Sequence, residues 1–298
     1  MTRRLLWGII ILLFVTNLTT LVVWINSSGD PAEDFSVSVN KKEPVATIAG
    51  EDISYKEWAN QLEDKFGEQV LKDMIDKKLV FQLAEEQNLN LNDKLIEREL
   101  SLLYTMDGIL TKEQIEKKRE EWIEDIRYRY FMEELLTKNV DVSENEIAAY
   151  YDSYKNQYEF SESIQLSHIL VDDQKTAEKI ISELESGASF NLLAREYSID
   201  EETKSDGGYL GYYTEGSNFL PSDYYNKAMD MEEHTYSQPF LTAKGVAIIY
   251  LHRLLPEVSF TYGELKNHIR REVALEQVET IISANPLWIE ADIEWIYE

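Results

Sequence analysis

A histidine embedded in an otherwise apolar stretch is the residue of this chain best placed to do chemistry: His168 lies within Leu166-Ser167-His168-Ile169-Leu170-Val171. An imidazole there can pass a proton or can serve as a hydrogen-bonding group inside a core, and for a lone histidine the second role is the commoner one. There are no cysteines, which excludes thiolate nucleophiles, thiolate metal sites and disulfides. The four histidines, at 168, 234, 252 and 268, lack the spacing of a ligand set, so neither a metal nor a cofactor is expected. Gly207, Gly208 and Gly211 are not followed by the lysine of a phosphate-binding loop and read as residues that serve backbone conformation.

His168 opens an ordered series. After a helical stretch come Phe190-Asn191-Leu192-Leu193-Ala194-Arg195-Glu196-Tyr197-Ser198, then Gly207-Gly208-Tyr209-Leu210-Gly211, Ser237-Gln238-Pro239 and Gly245-Val246-Ala247-Ile248-Ile249. In this order and at this spacing, Ser163 to Leu251 closely resembles the parvulin family of peptidyl-prolyl cis-trans isomerases. The resemblance implies catalysed rotation about X-Pro bonds, which unaided must cross a barrier of about 18–20 kcal/mol and takes tens of seconds. No bond is broken, so such a catalyst needs an apolar cup for the prolyl ring and a few fixed polar groups that favour the twisted amide.

By the same resemblance, His168, Asp200 and Thr242 form the polar catalytic network. Leu210 and Tyr225 wall the ring pocket, with Phe219 or Leu220 as a third wall. Asp200 falls where family members carry Cys or Asp, and Tyr225 matches a family aromatic three residues before an alanine, here Ala228. Two positions depart from the pattern. The second family histidine is Ala247, and the acidic residue usual between the glycines and the leucine is Tyr209. Two readings stay open: an isomerase that works with one histidine, its lost space refilled by Tyr209, Tyr212 or Tyr213, or a pocket that only binds.

Helices and strands must position these groups. Four helix starts combine a capping box with an apolar staple: Ser54/Glu57, Thr111/Gln114, Ser143/Glu146 and Thr261/Glu264, flanked by Ile53/Trp58, Leu110/Ile115, Val142/Ile147 and Phe260/Leu265. A small strand, Val45 to Ile48, precedes them, and Leu71, Met74, Ile75, Leu79 and Leu83 form one expected core stripe. Asp172-Asp173 caps a helix whose buried face is Ala177, Ile180, Ile181 and Leu184 and which stops at Gly187; Tyr209 to Tyr213 and Val246 to Leu254 read as strands. The fold class is α+β. Resemblance to the PrsA and SurA group of secretion foldases implies a helical, chaperone-like domain over 44–158, an inserted parvulin-like domain over 159–255, and a C-terminal segment, 256–298, that packs back on the first.

The N-terminus points to a membrane. After residues 1–4, with Arg3 and Arg4, an apolar run covers 5–25, long enough at about 1.5 Å per residue to cross the roughly 30 Å of a bilayer core. Basic residues precede it and Asp30, Glu33 and Asp34 follow, so a retained anchor would leave the N-terminus cytoplasmic and the rest outside. A cleaved signal peptide is the rival reading, although Trp24-Ile25-Asn26-Ser27-Ser28 offers no small-x-small cleavage pattern. Residues 26–43 read as a tether. The net charge of -27 argues against nucleic acid as a partner. The expected partners are the membrane, through the N-terminal helix, and unfolded or proline-containing exported polypeptides. The function expected is that of an anchored extracytoplasmic prolyl isomerase, with a holdase that binds unfolded secreted chains as the alternative.

Overall fold

The computed structural model describes residues 39–278, 283–289, 291 and 293–297. The apolar run 5–25 lies outside them, as does most of the tether. Among the described residues no helix is long and apolar enough to cross a membrane. The described residues divide into two compact units, one up to Leu71 and the other from Lys72 onward.

In the first unit, β1 (Pro44–Ile48) and β2 (Glu51–Ser54) pair antiparallel across a turn at Ala49-Gly50, both with positive φ. That geometry suits a tight hairpin. The second strand was not expected, because Glu51-Asp52 are poor strand formers. The Ser54 side chain accepts from the Glu57 amide at the start of α1 (Tyr55–Leu62). A π-helical turn, Glu63–Gly67, then leads into α2 (Glu68–Glu86). Trp58, Leu62, Phe66 and Val70, spaced by four, are between 40% and 57% exposed. Steps of four overshoot an α-helical turn by about 40°, and the wider π turn works against that drift.

In the second unit, α3 (Asp93–Met106), α4 (Lys112–Thr137), α5 (Glu144–Tyr154) and α9 (Tyr262–Glu276) share a core that includes Leu100, Tyr130, Ile147 and Ile269. The capping boxes at Thr111, Ser143 and Thr261 are complete on both sides. Their flanking pairs, Leu110/Ile115, Val142/Ile147 and Phe260/Leu265, all pack in that same core. The stripe expected on α2 is rotated: Met74 is 62% exposed, and the buried residues are Asp76, Leu79, Val80 and Ala84. The partners set this register. Leu79 and Val80 pack with Met132, Leu135, Ala284 and Leu287, while Trp288 of α10 (Asn285–Trp288) donates its indole N–H to Asp76 at 2.5 Å.

Between α5 and α9 the chain builds an antiparallel sheet in the order β4-β3-β7-β5, with β6 also on β7. The strands are β3 (Ser163–Val171), β4 (Tyr209–Thr214), β5 (Thr235–Tyr236), β6 (Phe240–Thr242) and β7 (Gly245–Leu255). All nine residues of β3 are buried. From Leu166 onward its side chains alternate between two faces. Ile169 and Val171 pack on α6 (Gln174–Glu185) and α7 (Phe190–Tyr197), whereas Leu166 and Leu170 pack toward α8 (Ser222–Met229). His168 shares the α8 face. Mixed helix and antiparallel sheet give the α+β class expected.

Candidate active site

β4 pairs with Ser163 to Ser167 only, so the last four residues of β3 need other partners along that edge. The loop 198–208 supplies them. Gly208 C=O accepts from the His168 amide at 2.8 Å, Leu170 C=O accepts from the Ile199 amide at 2.8 Å, and Ser198 Oγ accepts from the Leu170 amide at 3.3 Å. Ser198 Oγ also accepts from the Asp200 amide, and Gly208 N–H donates to Thr203 C=O. The carboxylate at 200 is thereby carried on a loop stitched to the strand that carries the imidazole. Only glycine fits at 208, with φ at +79° and the His168 carbonyl pressed against it.

The polar groups converge tightly. His168 Nε2 lies 2.7 Å from Asp200 Oδ2 and 3.1 Å from Thr203 Oγ1, and Thr203 donates to the same carboxylate oxygen at 2.6 Å. On the other side of the ring, Nδ1 lies 2.9 Å from the hydroxyl of Tyr224, which is 1% exposed. Burial holds the imidazole below the ordinary histidine range, against the opposing pull of Asp200 and with help from Lys244. Burial also raises the Tyr224 phenol, reinforced by the charge on Asp200, so it keeps its proton. Neutral His168 thus accepts at Nδ1 and donates from Nε2. Burial alone would raise the Asp200 carboxyl, but the Thr203 hydroxyl and His168 outweigh it and leave it below the usual carboxylate range. The group is a fixed, ionised carboxylate.

A cleft of about 500 Å³ opens over this network, lined by His168, Asp200, Leu210, Phe219, Leu220 and Thr242 among others. Leu220 is buried and Phe219 is 90% exposed, so both residues proposed for the third wall reach the same space. Thr242 is at the rim, but its hydroxyl donates to Gly245 C=O and accepts from the Lys244 amide, closing the turn between β6 and β7. It makes no hydrogen bond to His168 or Asp200. Tyr225 does not line the cleft. Its hydroxyl donates to Glu162 at 2.9 Å, and its ring faces a neighbouring hollow beside Thr214 to Ser217. Successive helical residues point about 100° apart, and it is Tyr224 that α8 turns toward His168.

Of the tyrosines considered as replacements for the absent histidine, Tyr213 lines the cleft but donates to Leu210 C=O. Tyr209 accepts from Gln165 and lies edge-on to His252, and Tyr212 packs on the helical core. The residues missed were Thr203 and Tyr224. Thr203 carries a readable signal, a hydroxyl three residues after an aspartate in a polar loop. Tyr224 carries none that separates it from Tyr225.

The family model described as Rotamase: PPIC-type PPIASE domain matches residues 170–253, which include Asp200, Leu210 and Thr242 and begin just after His168. YacD of Bacillus subtilis, a provisionally named peptidyl-prolyl cis-trans isomerase, is 35% identical over 256 residues, 86% of each chain. The foldase protein PrsA of Caldanaerobacter subterraneus is 32% identical over 228 residues, 74% of this chain and 69% of its own. PrsA of Halalkalibacterium halodurans is 28% identical over 248 residues, 79% of this chain and 71% of its own. With its cleft, its ordered motifs and these relatives, the chain belongs to the PPIC-type, or parvulin, family of peptidyl-prolyl cis-trans isomerases.

Proposed function

We propose that the chain is a membrane-anchored, extracytoplasmic foldase that rotates X-Pro bonds in exported polypeptides. The observation that carries this reading is one cleft in which the apolar side chains of Leu210, Phe219 and Leu220 meet a carboxylate, Asp200, held by His168 and Thr203. Amide resonance places negative charge on the carbonyl oxygen, and twisting the bond removes it. A fixed carboxylate beside that oxygen therefore disfavours the planar amide more than the twisted one, and only such a difference accelerates rotation. Apolar walls strengthen the effect by lowering the local dielectric.

Arg3 and Arg4 before the apolar run 5–25, and acidic residues after it, support the anchor and its orientation. The relatives named foldase support polypeptides in the course of folding as substrates, and the orientation of the anchor makes those polypeptides exported ones. The test is a protease-coupled or NMR-exchange assay of X-Pro rotation with the purified protein, beside Asp200→Ala and Leu210→Ala. Acceleration that falls in both variants supports the reading; a folded protein with no acceleration sinks it. Alkaline extraction of membranes separates a retained anchor, which stays in the pellet, from a released chain.

The exposed row Trp58, Leu62, Phe66 and Val70 favours a second reading, a holdase that binds unfolded chains on apolar surface. It requires that suppression of aggregation survive His168→Ala and Asp200→Ala. Loss of suppression in those variants would count against it.

A further inference from the structure

We propose that Tyr224 is the positioning residue of this site: its hydroxyl occupies Nδ1 of His168, keeps the imidazole neutral, and takes the place beside His168 that the histidine absent at 247 leaves open. The catalytic consequence rests on the isomerase reading, whereas the state of the ring does not.

The register of β3 and β7 pairs His168 with Ile249 and Leu170 with Ala247, so 247 is the diagonal neighbour of 168 on one face of the sheet. Diagonal partners are about 7–8 Å apart, within reach of an imidazole and out of reach of a methyl group. Ala247 is fully buried and packs in one cluster with Tyr224, Phe240, Leu170 and Ile249. A small residue there leaves room for α8 to bring in a ring, and Tyr224 is wedged edge-on between Phe240, at 5.5 Å between centroids, and His168, at 5.7 Å. Its hydroxyl, buried with it, points at Nδ1 from 2.9 Å.

The effect on charge follows from the donor arrangement. With Nε2–H facing Asp200, the free lone pair of the ring is on Nδ1, and that is where a second proton would enter. An O–H already donating there opposes that proton. Were His168 to gain it, an imidazolium would face Asp200 and cancel the carboxylate field that the cleft presents to an amide. The charged and titratable groups around His168 are Asp200 and Glu202 on the loop, Lys244 on the turn between β6 and β7, and Tyr224 on α8. Asp200 invites protonation of the ring, Lys244 opposes it, and Tyr224 is the neutral group that resists it.

The test is an NMR titration of the full chain labelled with ¹⁵N-histidine, which reports four side chains. In the unsubstituted protein at neutral pH, His168 should show an unprotonated, hydrogen-bonded Nδ1 and a protonated Nε2. A protonated Nδ1 would overturn the proposal without any variant. In Tyr224→Phe the His168 midpoint should rise by about one pH unit, the worth of one hydrogen bond, and the acid limb of the isomerase profile should rise with it. A looser fold would rehydrate the ring and raise the midpoint as well; it is told apart by a lowered denaturant midpoint and by shifted signals from His234, His252 and His268, and the Nδ1 state of the unsubstituted protein then decides. An unmoved or lowered midpoint in Tyr224→Phe would also overturn the proposal. If neither protein accelerates X-Pro rotation, the isomerase reading fails, and the titration still decides the role of Tyr224.

Discussion

Gly208 sits so close over His168 that a β-carbon on it would stand 2.0 Å from the His168 carbonyl oxygen, while its own carbonyl accepts from the His168 amide at 2.8 Å. Gly208→Ala should therefore be far costlier than a surface substitution. The clash and the positive φ together should remove about 3 kcal/mol of stability, or push the loop 198–208 off the strand and abolish isomerisation. Denaturant unfolding with a parallel activity assay measures both, and a variant equal to the parent in each would refute this account of the loop.

The acid limb of the isomerase profile is set by two groups whose affinities for protons are both lowered. Asp200 stays ionised below the usual carboxylate range, and His168 stays neutral to a pH below 6.5. kcat/KM should hold level from pH 8 to below pH 6.5 and fall only as His168 gains its proton. Asp200→Asn should lose at least about tenfold at every pH, because the field on the amide is gone. The same shift acts on stability: the unfolded chain takes up the His168 proton first, so stability falls as pH drops below 6.5 through that window. A limb at or above pH 6.5 in the parent would contradict the neutral imidazole.

Leu210 and Tyr225 should part company on substitution. Leu210→Ala removes apolar wall from the cleft and should lower kcat/KM by about tenfold, the worth of most of one leucine contact. Tyr225→Phe removes only the bond to Glu162, outside the cleft, and should leave kcat/KM within about twofold. A large loss in Tyr225→Phe, with the protein still folded, would return that residue to the site.

Lys244 and Glu202 are exposed charges of opposite sign on the cleft lining. Lys244→Glu should shift the ratio of kcat/KM for Glu-Pro over Lys-Pro peptides toward Lys-Pro by about two- to fivefold at low salt, with the shift fading at high salt. A ratio that does not move would remove Lys244 from the substrate path.

How much of this could be read from sequence depended on how local each determinant is. The boxes at Thr111, Ser143 and Thr261 are made within four residues and are found in full. The α6 face of Ala177, Ile180, Ile181 and Leu184 is likewise buried as its spacing dictates. The rotated face of α2 was not legible, because it is chosen by Met132, Leu135 and Leu287, far along the chain. In the site, His168 and Asp200 were named from ordered motifs and meet at 2.7 Å. Tyr224 and Tyr225 are adjacent tyrosines on one short helix, and only the position of β3 beneath that helix decides which hydroxyl meets the imidazole. Thr242 was named from a matching position, yet its hydroxyl is committed to its own turn.

The loop that carries Asp200 also finishes the sheet. Its Ser198, Ile199 and Gly208 take up backbone groups at His168 and Leu170 that a neighbouring strand would otherwise bind. An uncovered strand edge is a template for any extended peptide, and an isomerase of X-Pro bonds has peptides for substrates. Asp200 is therefore placed by the same bonds that deny the substrate a second way of attaching, as an added strand. Substitutions that loosen this loop should turn a passing substrate into a stuck one.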